Sequence, residues 1–169
     1  MSEVLSRWNQ LSDEEAALEI LDCCGSKVWA QELVSHRPIA DEPSLVAASD
    51  EIWNRLGVQD WLEAFSKHPR IGERKAPQQA SAQSAKWSAQ EQQSADADGE
   101  AQSALVQANL EYEQRFGRTF IVCATGKSAQ EMLKILWLRL LNDDATELRA
   151  AAEEQRKITN IRLKKWLSR

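Results

Sequence analysis

Apolar residues recur along most of this chain at spacings of three and four, the period of a helix with one buried face. Ser12 and Glu15 have the spacing of a capping box, in which each side chain bonds the other's backbone N–H. Ala16, Ala17, Ile20, Leu21 and Cys24 then follow in helical register as far as Gly25. A second helix is predicted to carry Val28, Trp29, Leu33 and Val34 and to stop before Pro38. A third starts near Pro43 and Ser44, aligns Leu45, Ala48, Ile52, Trp53 and Leu56, and ends at Gly57. Trp61, Leu62 and Phe65 predict a further turn or two.

The texture changes at residues 68–77, HPRIGERKAP, where two prolines, a glycine and four charges read as a loop. Residues 76–104 are dominated by Ala, Gln and Ser with Trp87 as the one large anchor, which fits a mobile lid or weakly packed helices. The helical pattern returns from about Glu100 to Phe116 through Leu105, Ala108, Leu110 and Tyr112, with Gly117 as its stop. Phe120 to Ala124 is the one strand-like run; lacking an evident partner strand, it is expected to be a buried extended segment. A second capping box, Ser128 with Glu131, opens a helix through Met132, Leu133, Leu136, Trp137 and Leu140, and a last long helix is predicted from about Ala145 to near the end. The fold class that follows is all-α: a single compact helical domain over residues 1–169, with one short extended segment near 120–124.

Composition agrees with this pattern. Six glycines and four prolines in 169 residues are few, and few breakers favour long helices. The net charge of -5 disfavours nucleic acid, although six basic residues and no acids lie from residue 155 onward, part of which complements a helix C-terminus. Three cysteines without a paired spacing predict neither a disulfide framework nor a zinc site, and suit reduced thiols in the cytoplasm. The first residues lack the apolar stretch of a signal peptide, and no run of about 18 apolar residues predicts a membrane span. Dinucleotide, P-loop, serine-hydrolase and metalloprotease motifs are missing from the sequence, and two histidines on separate segments make a poor metal site.

Three places carry candidate chemistry. His68, one of two histidines with His36, precedes a proline that biases its backbone away from helix; it is either a proton donor and acceptor on a stiff loop or an ordinary loop histidine. Around it Lys67, Arg70, Arg74 and Lys75 outnumber Glu73, so the loop either holds an anionic substrate or is simply solvated. In WSAQEQ, residues 87–92, Ser88 and Glu91 have capping-box spacing; a helix start there offers free N–H groups to a ligand, and the glutamate can accept a proton. Arg162 stands in an i, i+4 row with Ile158 and Trp166, where it either snorkels to water or turns inward to grip a carboxylate with two parallel bonds.

HPRIGERK, WSAQEQ, the stretch from Asn109 through Tyr112 to RFGRTFIVCATG, RLLN at 139–142 and KITNIRLKKWL at 157–167 resemble, in family order and over nearly the whole chain, the OHCU decarboxylases (2-oxo-4-hydroxy-4-carboxy-5-ureidoimidazoline decarboxylases). The resemblance implies an all-helical homodimer that needs no cofactor or metal and produces (S)-allantoin in urate breakdown. It implies His68 as the catalytic histidine, and the reaction's chemistry suggests that Glu91 shares the proton transfers with it. It also implies substrate contacts at Pro69, Ser88, Glu91 and Gln92, on backbone groups of Ile121, Val122, Cys123 and Ala124, and at Arg162. Neither a nucleic acid nor a membrane is an expected partner. Plant relatives carry a transthyretin-like hydrolase domain after this one, and eukaryotic relatives often end in a peroxisomal signal. The ending at Arg169 predicts neither for this chain and suits a bacterial cytoplasmic protein. The competing readings are a helical interaction module with tryptophan-rich faces and a hydrolase of the preceding urate-derived intermediate.

Overall fold

The computed structural model describes residues 2–73, 78, 80–95 and 99–169, and the chain divides into two compact units. Among the described residues all regular structure is helical. The first unit comprises residues 1–64 and 156–169, the second residues 65–155.

The first unit holds α1 (Glu3–Trp8), α2 (Asp13–Cys24), α3 (Lys27–Ser35), α4 (Glu42–Arg55), all but the last residue of α5 (Val58–Phe65), and the final part of α9 (Asp144–Leu167). Its helix starts are written in its polar residues. Ser12 and Glu15 make both bonds of the predicted capping box on α2, Ser26 accepts the Trp29 N–H at the head of α3, and Asp41 accepts the Ser44 N–H at the head of α4. The apolar stripes meet around tryptophans. Trp8, Trp29 and Trp166 are fully buried, and Trp8 stands edge-on to Trp166 at 5.7 Å between ring centres. Each buried indole N–H has an acceptor: the Ala16 carbonyl for Trp8 at 2.9 Å, the Ser49 hydroxyl for Trp29 at 3.2 Å and the Glu19 carboxylate for Trp166 at 3.0 Å. Truncating any of these to alanine costs about 3–5 kcal/mol, from lost burial and the cavity left behind. The short α1 is an element the sequence pattern did not predict. Its six residues have only Leu5 and Trp8 as core anchors, and Ser2 Oγ ties its start to the Leu167 carbonyl at 3.0 Å.

The second unit holds α6 (Ala82–Glu91), a 3-10 turn (Gln93–Ala95), α7 (Gly99–Phe116), α8 (Ala129–Arg139) and the first part of α9. Its core joins Leu105, Ala108 and Tyr112 of α7 to Met132, Leu133 and Leu136 of α8. Phe120, Val122 and Ala124 pack into the same core. The run 120–124 is buried throughout and forms no strand, in keeping with its lack of a partner. Its backbone is held instead by side chains. Arg139 donates to the Ile121 carbonyl while its guanidinium lies 4.6 Å from the centre of the Phe120 ring. Glu147, with no exposed surface, binds Arg139 and accepts the Tyr112 hydroxyl at 2.6 Å and the Asn142 amide at 3.0 Å. Leaving any member of such a buried charged set without its partner costs about 3–5 kcal/mol.

Within the Ala/Gln/Ser-rich stretch, α6, the 3-10 turn and the start of α7 are helical, with buried anchors at Trp87, Ala95 and Ala101 respectively. Residues 74–77, 79 and 96–98 of that stretch and the preceding loop, with the predicted basic positions Arg74 and Lys75, lie outside the described residues.

Candidate active site

The candidate site residues of the second unit lie on a turn, the end of α6, the segment 120–124 and one turn of α9. His68 follows α5, with its backbone N–H donated to the Phe65 carbonyl at 3.1 Å. Both His68 and Pro69 are buried, while Arg70 is exposed. His36, by contrast, is an exposed helix cap whose Nδ1 lies 2.8 Å from the Glu32 carbonyl. The chain then reverses at Arg70 to Glu73, where the Glu73 N–H reaches the Arg70 carbonyl at 3.1 Å. Gly72 stands at the third position of that turn with φ +87, a conformation any side chain would strain.

Side chains fasten this turn from both sides. Asn109 of α7 donates to the Ile71 carbonyl at 2.7 Å, and the Gln92 carboxamide oxygen accepts the Gly72 N–H at 3.1 Å. Arg70 makes a two-pronged pair with Glu113 and a third contact to Glu73 at 3.1 Å, so its charge is already neutralised. The loop therefore holds His68 in place without presenting Arg70 as a free cation.

On α6, Ser84, Trp87, Ser88 and Glu91 form one buried stripe, three of its four side chains polar. Glu91 lies close enough to Cys123 to push its thiol pKa up, an effect smaller than that of burial itself, the main cause of the raised value. Glu154 accepts the Cys123 backbone N–H at 2.9 Å, and Lys127 Nζ donates to the Cys123 carbonyl at 2.7 Å. The next residue of α9, Gln155, is fully buried and sets its Oε1 2.6 Å from Nε2 of His68. The adjacent pair Glu154 and Gln155 thus grips the 120–124 backbone with one side chain and the histidine with the other.

Arg162 belongs to the first unit. It is 1% exposed, as buried as its row-mates Ile158 and Trp166, so it does not snorkel to water. Its Nη1 donates to the Asp22 carbonyl at 3.3 Å, and its charge opposes the rise that burial imposes on the thiol pKa values of Cys23 and Cys24.

Comparison with known proteins points in one direction. The family model for OHCU decarboxylase matches residues 9–164. The chain belongs to the OHCU decarboxylase family. It is 38% identical over 148 residues to the uric acid degradation bifunctional protein TTL of Arabidopsis thaliana, covering 86% of this chain and 45% of that one. It is 28% identical over 167 residues to a uric acid degradation bifunctional protein of Bacillus sp. (strain TB-90), covering 94% and 32%. The chain therefore spans less than half the length of these curated relatives. A crystal structure of OHCU decarboxylase in the presence of (S)-allantoin matches with TM-score 0.76 and 34% identity, over 94% of this chain and all of that one.

For an OHCU decarboxylase relative, one expectation about the site is overturned. Ser88 and Glu91 do not open a helix. They occupy the last turn of α6, which begins at Ala82 with Ser81 as its N-cap, the Ser81 hydroxyl accepting the Ser84 N–H at 3.0 Å. The alanine- and glutamine-rich residues upstream of Ser88 favour helix and carry it back to Ser81, whose partner at the third position is serine rather than the glutamate that marks a capping box. A helix C-terminus presents carbonyl oxygens, not N–H groups, so the dipole argument for binding an anion at Ser88 is lost. Of the implied site residues, His68, Pro69, Ser88, Glu91, Gln92 and Ile121 to Ala124 share the second unit. Sequence reasoning missed Ser84, Asn109, Glu154 and Gln155. Ser84 alone left a readable signal, since it falls in the 3–4 residue spacing of Trp87, Ser88 and Glu91.

Proposed function

We propose that this chain catalyses the decarboxylation of 2-oxo-4-hydroxy-4-carboxy-5-ureidoimidazoline to (S)-allantoin, a carbon–carbon lyase step of urate breakdown. The observation that carries this reading is the family match across residues 9–164. The names of the relatives, which speak of uric acid degradation and allantoin, agree with it. The same match runs through residues of both compact units, which supports taking them as one family domain.

The substrate carries a carboxylate and a hydroxyl on one ring carbon, beside a C=N bond. When the C–CO2 bond breaks, its electron pair forms a C=C bond to the neighbouring carbon and the C=N pair moves onto nitrogen, which takes up a proton, so the substrate supplies its own electron sink. The hydroxyl proton leaves as the ring carbon becomes a carbonyl, and the neighbouring carbon takes up a proton on one face. The protein's part is orientation and proton transfer. His68 and Glu91 carry the protons in this proposal. Ser88, Gln92, Pro69 and the backbone of Ile121, Val122, Cys123 and Ala124 hold the ureido and ring groups, and Arg162 grips a carboxylate or carbonyl. Support comes from their surroundings: His68, Glu91 and Arg162 are each buried. Water is kept from such groups, and electrostatic contacts between them and a substrate are correspondingly stronger.

We extend the proposal to a cytoplasmic homodimer. Trp137, Leu138 and Leu141 are 53%, 67% and 79% exposed in and just after the last turn of α8, an apolar patch suited to a second copy. None of the three cysteines is in a disulfide, which suits a reducing compartment. Among the described residues no helix is long and apolar enough to cross a membrane.

The test is a coupled assay in which urate is converted in situ to the unstable ureidoimidazoline. With this protein present, optically active allantoin should appear faster than in its absence, with one CO2 released for each allantoin. An unchanged rate, or ring opening without CO2, refutes the reading and in the second case favours a hydrolase.

A further inference from the structure

We propose that Gln155 is a positioning residue that holds His68 with a proton on Nε2, making Nδ1 the nitrogen that gains and loses a proton during turnover. The inference rests on the reading of His68 as the proton-transferring group and adds which of its nitrogens does the work.

The geometry is specific. Oε1 of Gln155 lies 2.6 Å from Nε2 of His68, and the glutamine side chain has no exposed surface. A carboxamide oxygen has lone pairs only, so at this distance the ring nitrogen facing it must be the donor. A neutral imidazole carries one N–H, and the bond made by one nitrogen decides where that proton sits. With Nε2 committed as donor in both charge states, protonation and deprotonation occur at Nδ1.

The surrounding contacts make Gln155 a strut rather than a passing neighbour. It stands on α9 directly after Glu154, which anchors the Cys123 N–H at 2.9 Å. Asn109 and Gln92 fix the turn just beyond His68 through the Ile71 carbonyl and the Gly72 N–H. The backbone around the histidine is held from α6 and α7, and its ring from α9. The choice of an amide also has a consequence. A carboxylate in this position would fix the same tautomer but would stabilise the imidazolium by its charge. Glutamine fixes the tautomer without adding a charge.

The test reads the tautomer directly. The full chain contains two histidines, so long-range 1H–15N correlations of the 15N-labelled protein show two rings, and His36→Gln assigns them. Above its titration, His68 in the wild-type protein is expected to carry its proton on Nε2. Gln155→Met keeps the bulk and removes the acceptor. It should release the tautomer preference and lower kcat by about 10- to 100-fold, taking as a guide the loss when the outer partner of a metal-bound histidine is removed, with KM little changed. Gln155→Glu should keep the Nε2 proton and move the acid limb of the kcat/KM profile to higher pH.

A wild-type spectrum with the proton on Nδ1, as would follow if the amide turned its NH2 group to the ring, overturns the proposal. So does a Gln155→Met protein with unchanged tautomer and kcat. If that variant does not fold, the wild-type spectrum alone decides. The spectrum is read without substrate, so a protein that makes no allantoin yet shows the Nε2 proton refutes the proposed function and leaves the placement of the proton intact.

Discussion

Glu154 Oε2 accepts the backbone N–H of Cys123 at 2.9 Å, joining α9 to a segment that has no strand partner of its own. In a sheet the neighbouring strand would take that N–H. Here a carboxylate from a helix does so, and the carbonyls of the same segment go to Lys127 and Arg139. The 120–124 backbone is thereby held in one conformation by charged side chains.

Glu154→Ala is expected to free the Cys123 amide. A hydrogen bond to a charged group contributes about 1.5–3 kcal/mol, so amide exchange at Cys123 should accelerate by roughly 10-fold or more. If this backbone binds substrate, kcat/KM falls with it. Glu154→Gln retains an acceptor oxygen and should recover most of both properties. Fast exchange with unchanged kcat/KM would remove the segment from substrate binding.

The start of α6 supplies a second expectation. Ser81 is its cap, so Ser81→Ala should cost ~1 kcal/mol and expose the Ser84 amide to exchange. Ser88→Ala, seven residues inside the helix, should leave that amide protected whatever it does to turnover. Loss of protection at Ser84 in the Ser88 variant would contradict the observed boundary.

Stability should fall in alkali. Burial pushes the thiols of Cys23 and Cys24 and the hydroxyl of Tyr112 up, for Tyr112 together with its bond to Glu147. Once unfolded, these groups ionise near ~8.5 for cysteine and ~10 for tyrosine. Above those values the unfolded chain binds fewer protons than the folded one. The stabilisation is complete below pH ~8.5 and declines as pH rises towards the folded values, by ~1.4 kcal/mol per pH unit for each group. Urea unfolding between pH 8 and 11 checks this. Cys23→Ala should flatten the slope, and a pH-independent midpoint in the wild-type protein would contradict it.

Much of the fold was legible because its signals are local. The boxes at Ser12 and Ser128 need only three residues of spacing, and both form as predicted. The α6 boundary failed for the same reason: the spacing of Ser88 and Glu91 matches a box, and only the packed helix shows Ser81 ahead of it. Glu154 and Gln155 were illegible for a different reason. They lie in AAEEQRK, which reads as a solvated helix surface, and the partner of Gln155 is 87 residues away. No helical period encodes a contact of that range. The candidates His68 and Arg162 stood out for local reasons, a histidine between a helix and a proline and an arginine interrupting an apolar row, and both are buried.

Decarboxylation by this chain is expected to depend on His68. The most direct measurement compares wild type with His68→Ala in the urate-coupled assay, following CO2 and optically active allantoin together, with melting temperature taken on the same preparations. General acid–base groups contribute about 10²–10⁴-fold. A loss of that size in kcat is expected with the melting temperature nearly unchanged, and residual allantoin should form at the rate of the spontaneous reaction. A His68→Ala protein that releases CO2 and accumulates (S)-allantoin at the wild-type rate would contradict it.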